Sequence, residues 1–129
     1  MKICFSSTGK DLGSMLDVRF GRCSYFLIYD AEGQEVKVIE NRGQMAGGGA
    51  GIAAAQQIID EGVDVVITGN LGPNAFDILK KSDIKVYRCG STKIDSALQL
   101  FKEGKLEEIS VAGPAHAGMG AGKRFRGGR

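Results

Sequence analysis

The sequence has no Trp, two Pro, one His and three Cys in 129 residues. With only nine aromatic side chains, it lacks the rings that form a stacking platform for single-stranded nucleic acid. The odd number of cysteines, at positions 4, 23 and 89, does not suggest a disulfide framework. No CxxC or CxxxC occurs, so no self-contained zinc or iron–sulfur motif is present. The apolar run at residues 3–5 stops at Ser6, too short for a signal peptide. No apolar stretch approaches the ~20 residues of a membrane span. These features predict a cytoplasmic protein with no membrane partner.

What is present suits one small domain. The chain is 43% hydrophobic and 25% charged, ordinary values for a globular protein. A chain of this size buries roughly two-thirds of its unfolded surface without staples. The net charge of +2 conceals an asymmetry. Residues 111–129 carry Lys123, Arg124, Arg126 and Arg129 with no acid, among many glycines. Such a segment cannot bury enough apolar surface to offset its ordering entropy. The composition predicts a domain at 1–110 and a flexible, Gly-rich basic tail at 111–129.

Residues 2–6 read as a buried strand, and 7–23 as a long loop without a period. Residues 24–30 (SYFLIYD) and 35–40 (EVKVIE) flank a Gly33 turn and predict an antiparallel hairpin. A glycine-rich loop at 45–51 opens a helix with Ile52, Ala55, Ile58 and Ile59 in helical spacing and Gly62 as its cap. Residues 64–68 (DVVIT) form a strand, and Pro73 suits the first position of a helix to about Lys81. A strand at 84–87 and a helix with Ile94, Ala97, Leu98 and Phe101 inward follow, ending at Gly104.

The order is therefore β-β-β-α-β-α-β-α. Short connections and right-handed crossovers then predict a five-stranded mixed sheet of order 3-2-1-4-5, with strand 2 antiparallel. This is a ribonuclease-H-like, three-layer α/β arrangement. It gathers the loops at 6–10, 17–23, 41–51, 69–74 and 89–92 at one sheet edge. Ligands of open α/β sheets bind at such an edge, where connections diverge.

Gly47, Gly48, Gly49 and Gly51 precede a helix, where exposed amides and the helix dipole favour an anion. The loop lacks the Lys-Ser/Thr of a P-loop and the spacing of a dinucleotide fingerprint. Glycines there equally permit a tight turn and close packing. Asn70 and Gly72 either present amides at the second helix or form a plain strand-to-helix turn. Arg19 and Arg22 either pair with a ligand anion or, with Asp17, pin the loop to the body.

The segments DVRFGRCSYFLIYD (17–30) and GGGAGIAAAQQIIDEGVDVVITGNLGPNAFDILKKSDIKVYRC (47–89) resemble the dinitrogenase iron–molybdenum cofactor biosynthesis family over about residues 1–105. The resemblance implies a ribonuclease-H-like fold and a non-enzymatic carrier of an iron–molybdenum cofactor precursor or a related metal–sulfur cluster. It implies cofactor-assembly proteins as partners, and a nitrogen-fixation accessory role for some members. It carries over no ligand residue by residue.

The metal-ligand candidates come from position instead. Cys23 begins strand 2 and Cys89 ends strand 5, both toward the predicted edge, while Cys4 sits mid-strand. Soft thiolates suit iron, copper or a preformed cluster, but free cysteines are also among the most buried residues. His116, near Met119, is either a swinging ligand arm or a solvated tail residue. Nuclease chemistry needs several carboxylates at two metals, and strand 1 (KICFS) supplies none. No acid–base–nucleophile set stands out, so no enzyme is predicted. The alternative is a regulatory or interaction domain whose tail binds nucleic acid or an acidic partner.

Overall fold

The structure, a computed structural model, describes residues 1–45 and 49–110. Gly47 and Gly48, and the predicted tail with His116, lie outside the described residues.

The elements are β1 (Lys2–Ser7), β2 (Tyr25–Asp30), β3 (Glu35–Glu40), a short 3-10 turn (Arg42–Met45), α1 (Ala50–Asp60), β4 (Val65–Thr68), α2 (Pro73–Lys81), β5 (Lys85–Arg88), α3 (Ile94–Lys102) and β6 (Glu107–Glu108). They form one mixed sheet of order β3-β2-β1-β4-β5-β6. β1, β4 and β5 are mutually parallel, and β2 is antiparallel to both β1 and β3. The predicted order of the first five strands is thus present. The count of five is corrected to six, because Glu107 and Glu108 pair antiparallel with Arg88 and Tyr87.

Side-chain alternation along the strands divides the core into two clusters. Cys4, Phe26, Ile28, Val66 and Val86 pack beneath α1 and α2, whose inward residues include Ala54, Ile58, Phe76 and Leu79. Ile3, Phe5, Leu27, Tyr29, Val65 and Ile67 face the other way and meet Ile94, Ala97 and Leu98 of α3. The central strands are apolar on both faces because helices cover both. β3 is an edge strand, and Val36 and Val38 on it are exposed.

One predicted helix face is rotated. Ala50, Ala54, Ala55 and Ile58 of α1 are buried, whereas Ile52 is 39% exposed. Alanines win the inward positions because α1 lies close to α2. A Cβ built on Gly51 would stand 3.3 Å from the Ala75 Cβ. Small residues allow this approach between the first turns of the two helices, and a larger inward side chain would force them apart.

Candidate functional site

The long unpatterned loop after β1 owes its order to main-chain bonds with distant strand ends. The Asp17 N–H donates to Ser6 O at 2.9 Å, and the Asn70 N–H donates to Val18 O at 2.6 Å. The Phe20 N–H donates to Asn70 O at 3.1 Å, making a parallel bridge between Arg19 and Asn70. Residues 17–20 therefore cross the carboxyl ends of β1 and β4 as a strap. Gly69 permits the crossing, since a Cβ there would lie 2.5 Å from the Val18 Cβ.

β1 and β4 are adjacent parallel strands whose connections diverge, one toward β2 and one toward β5. Their last polar side chains are spent on the strap. The Ser6 hydroxyl donates to Asp17 O at 2.6 Å, which uses its one hydrogen. Thr68 therefore donates to Ser6 Oγ across 2.7 Å. Both residues are fully buried.

Asp17 and Arg19 pin the strap to itself. The Asp17 carboxylate accepts from the Arg19 amide at 2.9 Å and from Nε and Nη2, each at 3.1 Å. The carboxylate raises the Arg19 pKa through this hydrogen bond and its charge. The Arg19 side chain is still 66% exposed, so its outer face meets solvent at the edge. Arg22 is also exposed on this loop.

Asn41 joins the residues that follow the strap to the 3-10 turn. Its Nδ2 donates to Gly21 O at 3.0 Å and to Cys23 O at 2.9 Å. Its Oδ1 accepts the Gly43 N–H at 2.9 Å. Gly21 in turn lies against α1, where a Cβ would come within 2.9 Å of Gly51 N. The strap thus backs directly onto the first turn of α1.

The first turns of α1 and α2 meet at this edge. Gly49 precedes α1 with φ 72°, and Gly72 precedes α2 with φ −75° and ψ 170°. Neither helix has a side-chain cap or an acid in its first turn. Initial amides of a helix have no intrahelical acceptor, and the dipole makes that end positive. Gly49, Gly51, Asn70 and Gly72 are therefore brought together with Arg19 and Arg22 on the overlying loop.

The cysteines are not brought together. Cys23 belongs to the cluster beneath α1 and α2, and Cys89 to the cluster beneath α3, on the opposite sheet face. Cys23 is fully buried, and its thiol donates to Phe20 O at 3.3 Å. Burial pushes the Cys23 thiol up to about 12, and burial also raises Cys89. Cys4 is buried mid-strand and raised well above its ordinary value by burial. Among the described residues, no group of three or more His, Cys, Asp or Glu could hold a metal ion. His116 lies outside the described residues.

These thiols are therefore expected to resist iodoacetamide at pH 8 in the folded protein and to react after denaturation. Mass spectrometry reads the outcome. Rapid native alkylation of Cys23 would show that the strap opens readily. A thiol pKa raised on folding adds stability below the unfolded value, near 9. That contribution declines as pH rises toward 12.

Comparison with known proteins identifies the relatives of this fold. Residues 1–104 match the family described as dinitrogenase iron-molybdenum cofactor. The chain belongs to this family. An uncharacterised protein of Methanocaldococcus jannaschii is 40% identical over 97 residues, covering 73% of this chain and 82% of that one. The apo form of the orange protein from Desulfovibrio gigas superposes with a TM-score of 0.82 at 32% identity, covering 85% of this chain and 93% of that one. An NMR structure of a Thermotoga protein provisionally named a NifB protein gives 0.78 at 38% identity, covering 88% and 97%. In this iron–molybdenum cofactor family member, the matched region takes in the strap, the helix starts, the five strands β1 to β5 and the three helices.

Sequence reasoning located the edge, Arg19, Arg22 and the glycines, but missed Asn41, Ser6 and Thr68 as its fasteners. Their partners lie 11 to 62 residues away for Ser6 and up to 20 away for Asn41, so no local spacing announces them.

Proposed function

We propose that this chain is a non-enzymatic carrier, on a ribonuclease-H-like scaffold, for an iron–molybdenum cofactor precursor or related anionic metal–sulfur cluster. The observation that carries the reading is the meeting of two uncapped helix starts, Gly51 against Ala75, beneath a strap bearing Arg19 and Arg22. Family membership supplies the chemical class of the cargo.

The donor set fits an anion held through its outer sulfur or oxygen atoms. Amides at Gly49, Gly51 and Gly72 would hydrogen-bond it, with Asn70 at the β4 end, Gly47 and Gly48 completing the loop, and the two arginines supplying charge. Inner ligation by Cys23 or Cys89 would require a core cluster to open, so amide and guanidinium contacts are the stronger reading. The carrier reading is supported by the state of the buried polar groups: Ser6, Thr68 and Asp17 are consumed in fastening the strap. We place the protein in the cytoplasm, receiving and delivering cargo through cofactor-assembly proteins.

Anaerobic isolation, followed by metal and sulfide analysis before and after reconstitution, tests the reading. Metal and acid-labile sulfide bound in fixed ratio to protein are expected. Protein that remains free of both after reconstitution would sink it.

A further inference from the structure

The two outer strands of the sheet differ. β6 is two residues long, and both are glutamates. A short, charged edge offers little to another strand. β3 has six residues, and no strand lies beyond it among the described residues. The Asn41 N–H donates to Ser24 O at 3.1 Å. Alternation from that pair turns the main-chain groups of Glu35, Lys37 and Ile39 toward β2. Those of Val36, Val38 and Glu40 point off the sheet. Glu40 O accepts from Gln57 Nε2 at 2.6 Å. The N–H and C=O of Val36 and Val38 and the N–H of Glu40 lack a ladder partner.

An edge lysine commonly blocks pairing with another chain. Lys37 is instead drawn onto its own helix, with Nζ 2.7 Å from Oε1 of Glu61 at the end of α1. On the opposite face of the strand, Val36 and Val38 stand beside Tyr29 and Leu27 of β2. Val36 is 37% and Val38 38% exposed, whereas Tyr29 and Leu27 are buried. The layer made by α3 thus ends over β2 and leaves a step of bare valine along β3. Lysines flank the step. Lys102 lies over the Tyr29 ring and Lys10 over the Tyr25 ring, each 5.5 Å from the centroid.

This edge is complementary to itself. A two-fold axis at Val38 sets Val38 opposite the partner's Val38, and Val36 opposite the partner's Glu40. The central cross-strand row is then Leu27, Val38, the partner's Val38 and the partner's Leu27, apolar throughout. The next row is Tyr29, Val36, the partner's Glu40 and the partner's Tyr25. It sets the partner's Glu40 between Lys102 and the partner's Lys10. On the other face Lys37 meets the partner's Ile39, so no like charges stand directly opposite. Centring the axis on Lys37 would oppose the two lysines. Centring it on Ile39 would leave Val36 beyond the end of the partner's β3.

We propose that β3 is a self-association edge, through which two copies of this chain join their sheets with Val38 at the two-fold axis. The dimer is weak, because one strand pair buries less than a standard interface. It does not depend on the carrier reading. The axis points the two carboxyl edges in opposite directions and leaves both open.

Sedimentation equilibrium of the full chain over about 1 μM to 1 mM tests the edge. A reversible monomer–dimer equilibrium is expected. Val38→Lys, at an exposed position, sets like charges at the axis and should raise the dissociation constant about ten-fold or more. Its circular dichroism should match wild type. A second readout uses disulfide formation, since the native cysteines are all buried. Oxidised Val38→Cys protein should yield a covalent dimer much faster than Lys37→Cys protein. A chain that stays monomeric at the highest of these concentrations would overturn the proposal. So would dimers that ignore Val38→Lys, or faster cross-linking through Lys37→Cys.

Discussion

Gly72→Asp is expected to stabilise the protein and to weaken cargo loading at the same time. Most structurally constrained glycines here have visible reasons. Gly49 has φ 72°, and Gly21 and Gly69 would drive a Cβ within 3.0 Å of neighbouring atoms. Gly72 has no such reason. Its φ of −75° and ψ of 170° suit any residue, and a Cβ there meets nothing within 4 Å. At the position before a helix, Asp normally outperforms Gly by accepting an amide hydrogen bond in the first turn. It also complements the dipole. The gain should be a few tenths to about 1 kcal/mol, read as a higher melting temperature. The same carboxylate occupies amides assigned to the cargo and repels an anion. Loss of about 1.4 kcal/mol or more of binding corresponds to at least a ten-fold fall in affinity. Metal and sulfide loading at limiting cluster concentration reads this loss. Gly72→Ala separates the effects, since it adds bulk without charge or a cap. A stabilised Gly72→Asp protein that loads like wild type would remove the α2 amides from the site.

The parts of this fold legible in the sequence are those determined locally. Alternation and β-branched runs give the first five strands, Pro73 fixes the start of α2, and the apolar spacing of α3 gives its buried face. β6 escapes because Glu107 and Glu108 are exposed and carry no apolar pattern, and only pairing with Tyr87 and Arg88 makes them a strand. The buried face of α1 escapes because apolar residues surround much of that helix. Its orientation follows from the Gly51–Ala75 approach, a contact between distant segments. The cysteines illustrate the same limit. Chain position places Cys23 and Cys89 near one edge, but their assignment to opposite core clusters depends on packing across the whole sheet. The strap has no period because its fasteners belong to other strands.

Asn41 should therefore be among the most sensitive positions in the chain, although nothing in its neighbourhood marks it. It is 3% exposed and serves three main-chain groups, at Gly21, Cys23 and Gly43. Asn41→Ala strands all three, and each buried unsatisfied group costs about 1–3 kcal/mol before relaxation. With water admitted to part of the loop, we expect a net loss of roughly 2–4 kcal/mol. At about 4–8 °C per kcal/mol for a domain near this size, the melting temperature falls by roughly 10–25 °C. Asn41→Asp should be worse at pH 7, because it keeps the acceptor for Gly43 but turns a carboxylate toward two carbonyls. Burial and those carbonyls raise the folded pKa of the introduced acid above its unfolded value. The folded state then binds the extra proton, so the deficit relative to wild type shrinks as pH falls from 7 toward 4. Thermal unfolding at pH 7 and pH 5 measures both effects. An Asn41→Ala protein with wild-type stability would show that the strap holds without this residue. Because the strap backs onto α1 at Gly21, loosening it also disturbs the amides at Gly49 and Gly51. Cargo loading should fall in both variants at temperatures where they remain folded, linking the buried amide of Asn41 to the geometry of the edge.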